Sequence, residues 1–137
     1  MKKHTMTVMA LMAAIFYGGL TAHAYTPTLS ARLEMGKKNY LMGVRSGNQG
    51  LVESAMMQVA KIKIAYPAFD ITEIKSVLDS LSINAKIPSV RYRAYLASNV
   101  CDNPTWFAKE NSDADVNDFF VSVESQLQGR ILGSRTD

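Results

Sequence analysis

"VRYRAYLASNVC", residues 90–101, is the stretch of the chain that decides the fold. In an α-helix, with about 100° of rotation per residue, small side chains of this stretch share one narrow face. They are Val90, Ala94, Ala97 and Cys101. A second apolar face carries Tyr92, Leu96 and Val100. The stretch therefore predicts a helix that packs against neighbours on two sides, with Tyr92 in the core.

The polar side chains of the same helix divide into two groups. Arg91, Tyr95, Ser98 and Asn99 occupy the remaining arc, so we expect them at the surface as a partner-binding edge. Arg93 falls between the two apolar faces, so its stem should lie on apolar neighbours and its guanidinium should pair with a carboxylate. Arginines beside tyrosines are also typical of nucleic-acid surfaces, but the packing periodicity favours a structural helix, and no nucleic-acid partner is predicted.

Apolar residues recur at helical spacing through most of the chain, and no segment of useful length has the two-residue alternation of a half-buried strand. We expect an all-α domain of antiparallel helix pairs, stacked as a short repeat array or packed as a compact domain of about five helices. The predicted helices cover residues 30–44, 50–65, 70–81, 88–101 and 114–128. A short helical turn that starts at Asn103 and Pro104 should carry Trp106 and Phe107 as a cap over the core.

The clearest helix boundary precedes the third helix. Asp70 is expected as its N-cap and Glu73 as the capping-box partner, while Phe69 is placed to pack on Ile74 as a hydrophobic staple. Near the end of the chain, Gly129 suits the C-terminal cap of the last helix. The helical domain is predicted over residues 25–132, followed by a flexible tail over 133–137.

The first 24 residues have the features of a secretory signal peptide. Lys2 and Lys3 precede an apolar run over residues 6–20, and Ala22 and Ala24 form an A-x-A cleavage site. The run is shorter than the ~20 residues that span a bilayer. We expect cleavage after Ala24 and a periplasmic or extracellular product, with membrane attachment only through an uncleaved leader.

The residue inventory after position 24 narrows the chemistry. Both histidines, His4 and His23, lie in the leader, and Cys101 is the only cysteine. Imidazole catalysis, Cys-His dyads and His/Cys zinc sites are therefore excluded from residues 25–137, as is an internal disulfide. Without the leader, 13 Lys and Arg stand against 12 Asp and Glu, a net charge of +1. No cofactor or metal site is predicted, and Cys101 is expected to be a buried, inert thiol.

One acidic segment deserves comparison with a calcium loop. Asp113, Asp115, Asn117 and Glu124 have the spacing of EF-hand ligands, but Asp118 stands where the loop requires glycine. The apolar pattern of a helix also runs through the segment. We therefore expect acidic residues that cap a helix N-terminus.

An internal similarity appears when the chain is shifted by 39 residues, which places GLVESAMM, residues 50–57, on SVRYRAYL, residues 89–96. A helix pair of about 40 residues is the repeat of HEAT and armadillo arrays. "VRYRAYLA" resembles the helix start of the HEAT-like family, VRxxAxxA, at Val90, Arg91, Ala94 and Ala97, and "LVESA" is a weaker copy. Val52 replaces the arginine in that copy, and the aspartate usual before the helix is absent from both.

The resemblance covers about residues 30–107 and implies a stacked helical array whose surface binds another macromolecule without catalysis. We therefore expect an exported, non-catalytic domain that mediates protein–protein interaction through the edge at Arg91, Tyr95, Ser98 and Asn99. One alternative is a carrier for a small hydrophobic ligand lined by Met56, Met57, Tyr92 and Trp106. The other is a carboxylate-based hydrolase, although no two acids are marked as a catalytic pair. The sequence predicts neither the partner's identity nor an oligomeric state.

Overall fold

A computed structural model describes residues 26–107 and 113–134. The expected signal peptide, residues 1–24, lies outside the described residues, as do residues 135–137 of the expected tail. The described residues form five α-helices and no strand, which confirms an all-α helical domain. The helices are α1, Leu29–Val44; α2, Gln49–Ala65; α3, Thr72–Asn84; α4, Pro88–Asp102; and α5, Val116–Gly133. A 3-10 turn, Pro104–Phe107, follows α4 at the place that Asn103 and Pro104 predicted.

Three helices begin with a side chain that caps the first turn. Thr28, Asn48 and Asp115 each accept a hydrogen bond from the backbone N–H three residues on. Such a cap satisfies one of the N–H groups that the first turn leaves free. The helix that begins after Asp115 runs through the segment with EF-hand spacing, so capping is confirmed for this acid. α4 instead begins with Pro88, which has no N–H to satisfy.

The capping box predicted for α3 is wrong. The helix begins at Thr72, and its N-cap residue makes no side-chain hydrogen bond. Asp70 accepts from the backbone N–H of Thr72 at 3.0 Å and from its hydroxyl at 2.6 Å, which is a turn ahead of the helix. The Glu73 carboxylate accepts from Arg45 at the end of α1, 3.0 Å away. With Ile71 as the N-cap, Glu73 lies two residues after it and not at the third position that a capping box requires.

The predicted end of the last helix is also wrong. α5 continues through Gly129, which was expected to cap it, and ends at Gly133. A glycine inside a helix costs only about 1 kcal/mol relative to alanine. The residues that follow, Arg130 to Leu132, are good helix formers, and Arg130 is a cation in the last turn, where the helix dipole favours it.

Two helical hairpins form the body of the domain. α1 packs on α2 and α3 packs on α4, while α2 lies against α4 and α1 against α3. The pairs Gln49–Ser89 and Glu53–Arg93 join the first two turns of α2 to the first two turns of α4, so these two helices run parallel. α5 and the 3-10 turn pack on α2 and α4 from the other side. α2 and α4 are therefore the central layer of the domain.

The distribution of buried residues agrees with this arrangement. α2 and α4 each bury seven residues, whereas α1 buries only Gly43 and Val44. The small-residue face predicted for α4 is buried at all four positions. α5 contributes large side chains to the same core, namely Phe119, Phe120, Val123 and Leu127. Phe107 in the 3-10 turn is completely buried, as the expected cap over the core requires.

The 39-residue similarity corresponds only in part to equivalent environments. α2 and α4 begin 39 residues apart, at Gln49 and Pro88. Ala55 and Ala94 are both buried, as are Met57 and Leu96. Leu51, however, is 53% exposed, whereas its counterpart Val90 is buried.

Gly43 provides a test of the α1–α2 packing. A Cβ added to Gly43 would lie 2.7 Å from the Cβ of Ala55, so the helices would have to move apart. We expect Gly43→Ala to lower the free energy of unfolding by about 1–3 kcal/mol, measured by urea unfolding followed by circular dichroism. The matched control is Gly129→Ala, where an added Cβ meets no atom within 4 Å. The control should raise the free energy of unfolding by about 0.5–1 kcal/mol. An equal rise for Gly43→Ala would contradict close packing of α1 on α2.

Candidate functional site

Arg93 lies at the meeting point of α2, α4 and α5, and the carboxylate partner expected for it is confirmed. Its Nη1 donates to Oε2 of Glu53 on α2 at 2.5 Å. Its Nη2 donates to the amide oxygen of Asn117 on α5. The guanidinium carbon lies 5.5 Å from the centre of the Phe120 ring, within the range of a cation–π interaction.

The Glu53 carboxylate is satisfied on both oxygens. Its other oxygen, Oε1, accepts from the Gln49 amide at 3.0 Å and from the Ser89 hydroxyl at 3.2 Å. The side chains of Glu53 and Arg93 are 11% and 19% exposed. Both oxygens of this carboxylate accept hydrogen bonds from within the domain. We call the Arg93–Glu53 pair the structural joint of α2 and α4.

A second polar cluster joins α3 to α4. Asp79 accepts from Lys75 at 2.8 Å and from the Ser98 hydroxyl at 2.5 Å, and Lys75 also contacts Asp102 at 3.3 Å. Burial raises the pKa of Asp79, but the hydrogen bonds from Lys75 and Ser98 outweigh it and hold the pKa below its ordinary value. Ser98 is only 8% exposed. Its predicted place on the partner-binding edge is therefore wrong, because its hydroxyl turns inward to a carboxylate of α3.

The other three residues of the predicted edge lie at or near the surface. Arg91 is half-buried and donates from Nη1 to the carbonyl of Ala85 at 2.7 Å, which holds the α3–α4 turn against α4. Tyr95 is 45% exposed. Asn99 donates its side-chain amide to the carbonyl of Tyr95 at 2.8 Å, so that it supports its own helix.

The core position predicted for Tyr92 is wrong, because the residue is 46% exposed. Its hydroxyl donates to Oε1 of Glu124 on α5 at 2.7 Å, and this hydrogen bond, with burial, raises the pKa of Tyr92 to about 12. Its ring is stacked with that of Tyr95, with centroids 6.4 Å apart and planes inclined by 21°. A tyrosine at the rim satisfies its hydroxyl at a surface carboxylate, while Leu96 and Val100 fill the core below it.

Three surface depressions accompany these features. The tyrosine depression, of about 310 Å³, is lined by Ser82, Pro88, Arg91, Tyr92 and Tyr95. The turn depression, of about 290 Å³, lies between the α1–α2 and α3–α4 turns and includes Val52, Leu81, Lys86, Ile87 and Val90. A third, of about 380 Å³, is lined by residues that include Lys63, Lys75, Asp70 and Cys101.

The four residues expected to line a ligand cavity do not share any of these depressions. Met56 and Met57 are buried in the continuous core. Trp106 is 38% exposed, and its ring lies 5.1 Å from the guanidinium carbon of Arg130 on α5. Tyr92 lies in the tyrosine depression, away from both methionines.

Cys101 is buried, as expected, and desolvation raises the pKa of its thiol to about 12. A thiol that stays protonated is a poor nucleophile. Within residues 26–107 and 113–134, no group of three or more His, Cys, Asp or Glu side chains could hold a metal ion. None of the described helices has the length and apolar character needed to cross a membrane.

Comparisons of the chain with protein-family models, with curated proteins and with solved structures found no match.

The Arg93–Glu53 joint generates a stability prediction. Glu53→Gln leaves the Arg93 cation without its counter-charge, so we expect a loss of about 3–5 kcal/mol in the free energy of unfolding, measured by urea titration. The double variant Glu53→Gln/Arg93→Met should recover much of this loss, because no unpaired charge remains buried.

The matched control is Glu73→Gln, which removes an ion pair to Arg45 in which both side chains are more than half exposed. This variant should lower the free energy of unfolding by less than about 1 kcal/mol. If Glu53→Gln cost no more than this control, the pair would not be a structural joint.

Proposed function

We propose that this protein is an exported, non-catalytic helical domain that binds another protein through the edge of α4. The observation that carries the proposal is the tyrosine depression, where two stacked tyrosine rings and an arginine lie together at the surface. Tyrosine and arginine are enriched among the residues that dominate binding energy at protein interfaces. Stacked rings beside an arginine present apolar area and hydrogen-bond donors together, as such contacts require.

The packing order of the helices supports a HEAT-like architecture. Two hairpins stack so that their first helices, α1 and α3, form one layer and their second helices, α2 and α4, form the next. This is the arrangement expected of two repeats of a helical array. Leu51 and Val90 depart from it, since only one of them is buried.

The position of α5 favours the α4 edge over the open face of an array. α5 packs on α2 and α4 with four buried apolar side chains, so the face of that layer opposite α1 and α3 is already used inside the chain. Tyr92 and Tyr95 remain at the side of α4, next to the α3–α4 turn. A partner that approaches this edge meets exposed aromatic rings without displacing α5.

The inventory of side chains supports the absence of catalysis. Residues 25–137 contain no histidine, and their one thiol, Cys101, is buried and protonated. Among the described residues, the most buried carboxylate is that of Glu53, which is ion-paired with Arg93. An acid that is ion-paired and hydrogen-bonded on both oxygens is a poor general base.

Export is tested by the N-terminus of the recovered protein. When the full chain is expressed in a bacterial host with a C-terminal tag, we expect it in the periplasm or medium, with Tyr25 as the first residue on N-terminal sequencing. Ala24→Trp should block cleavage, because the site requires a small residue. Recovery of unmodified wild-type chain from the cytoplasm, with Met1 or Lys2 first, would contradict export.

Partner binding is tested by affinity capture from the host's periplasmic extract. We expect Tyr95→Ala and Arg91→Ala to lower capture of a protein that wild type retains, by about tenfold or more, as for interface residues of this kind. Tyr66→Ala is the matched control, since Tyr66 is 39% exposed at the end of α2, away from the α4 edge. Undiminished capture by both edge variants would exclude the edge, and a lipid that copurifies with wild type would favour the carrier.

A further inference from the structure

We propose that the partner segment bound at the α4 edge is acidic, with a carboxylate held by Arg91 and an adjacent apolar side chain seated in the turn depression. This inference depends on the proposed function and adds the chemistry of the partner. It is carried by the charges and depressions on the two sides of the α3–α4 turn.

Arg91 has donors that the domain does not use. One of its terminal nitrogens, Nη1, is committed to the carbonyl of Ala85, with a longer contact to that of Lys86. Its other N–H groups have no partner among the described residues, and no described carboxylate pairs with it. A guanidinium presents paired donors that match a carboxylate. Arg91 therefore offers a charge-assisted site at the wall of the tyrosine depression.

The charges near the turn are complementary to an acidic segment. Lys86, in the turn itself, also makes no ion pair with a described carboxylate, so it adds a second cation beside Arg91. Of the acids that contact α4 or its neighbours here, Asp79 is ion-paired with Lys75 and also accepts from Ser98, whereas Glu124 accepts only from the neutral donors Tyr92 and Gln128. Arg91 and Lys86 are thus two cations beside the turn that make no ion pair with a described carboxylate.

The two depressions flank the same turn and differ in character. The tyrosine depression begins at Pro88 and Arg91, and the turn depression contains Lys86 and Ile87. Val52, Leu81 and Val90 give the turn depression an apolar floor. A segment that crosses the turn meets the tyrosines and Arg91 on one side and an apolar hollow on the other. An acidic residue close to an aliphatic or aromatic residue fits both.

The test is a selection of random peptides displayed on phage against the immobilised protein, followed by fluorescence anisotropy with the enriched peptides. We expect enriched peptides to carry Asp or Glu close to an aliphatic or aromatic residue. Arg91→Gln should weaken their binding by about tenfold or more, because a hydrogen-bonded charge is lost. Added salt should weaken binding to wild type.

Further variants separate binding from folding. Lys86→Gln removes a cation that makes no hydrogen bond or ion pair with a described side chain, so it should weaken binding without changing the urea midpoint. Arg91→Glu should enrich peptides that carry Lys or Arg, a reversal that a purely structural role for Arg91 would not produce. Arg32→Gln, an exposed arginine on α1, is the matched control and should leave binding unchanged.

The outcomes distinguish this inference from the proposed function. Peptides that depend on Tyr95 but lack carboxylates, or that bind Arg91→Gln as well as wild type, would overturn the acidic partner and leave the α4 edge as a binding surface. If no enriched peptide depended on Tyr95 or Arg91, both proposals would fail.

Discussion

The arginine enclosed between α2, α4 and α5 is the constraint on which the rest of the structure depends. A buried cation costs several kcal/mol unless its charge and its N–H groups are matched. Arg93 meets this requirement with partners on two other helices, a carboxylate on α2 and an amide oxygen on α5, and with the ring of Phe120. Because the Arg93 side chain of α4 is bonded to both α2 and α5, it fixes the positions of the three helices relative to one another at this point.

The joint connects the central layer of the domain to α5. The hairpins of α1–α2 and α3–α4 could stack through apolar contacts alone, but α4 would then carry Arg93 toward an open face. α5 closes that face with Phe119 and Phe120 and supplies Asn117 to the guanidinium. The closure leaves the side of α4 uncovered, and the exposed rings of Tyr92 and Tyr95 lie there. The proposed binding surface therefore lies on α4 beside the joint and outside the contacts of α5 with the core.

Helical spacing predicted the fold class and most helix bounds to within two residues, because the apolar faces are regular and caps such as Asn48 act locally. It also predicted the pairing of Arg93, since a cation between two apolar faces has few alternatives. It failed where a neighbour decides the outcome. The Ser98 hydroxyl points inward to Asp79, and Tyr92 lies at the rim, where Glu124 accepts from its hydroxyl. Glu73 does not complete a capping box because α3 begins at Thr72, one residue later than expected. A helical wheel gives the face of a residue but not what covers that face.

Native-state hydrogen exchange, followed by mass spectrometry, tests most directly whether α2, α4 and α5 form one unit around Arg93. If they do, the slowest amides of α5 near Phe120 and those of α2 and α4 near Glu53 and Arg93 exchange with the same opening free energy, equal to that of global unfolding. In Arg93→Met, which removes the joint, the α5 amides should exchange with a lower opening free energy than the amides of α2 and α4. If the α5 amides of wild type already opened well below those of α2 and α4, Arg93 would not hold the three helices together.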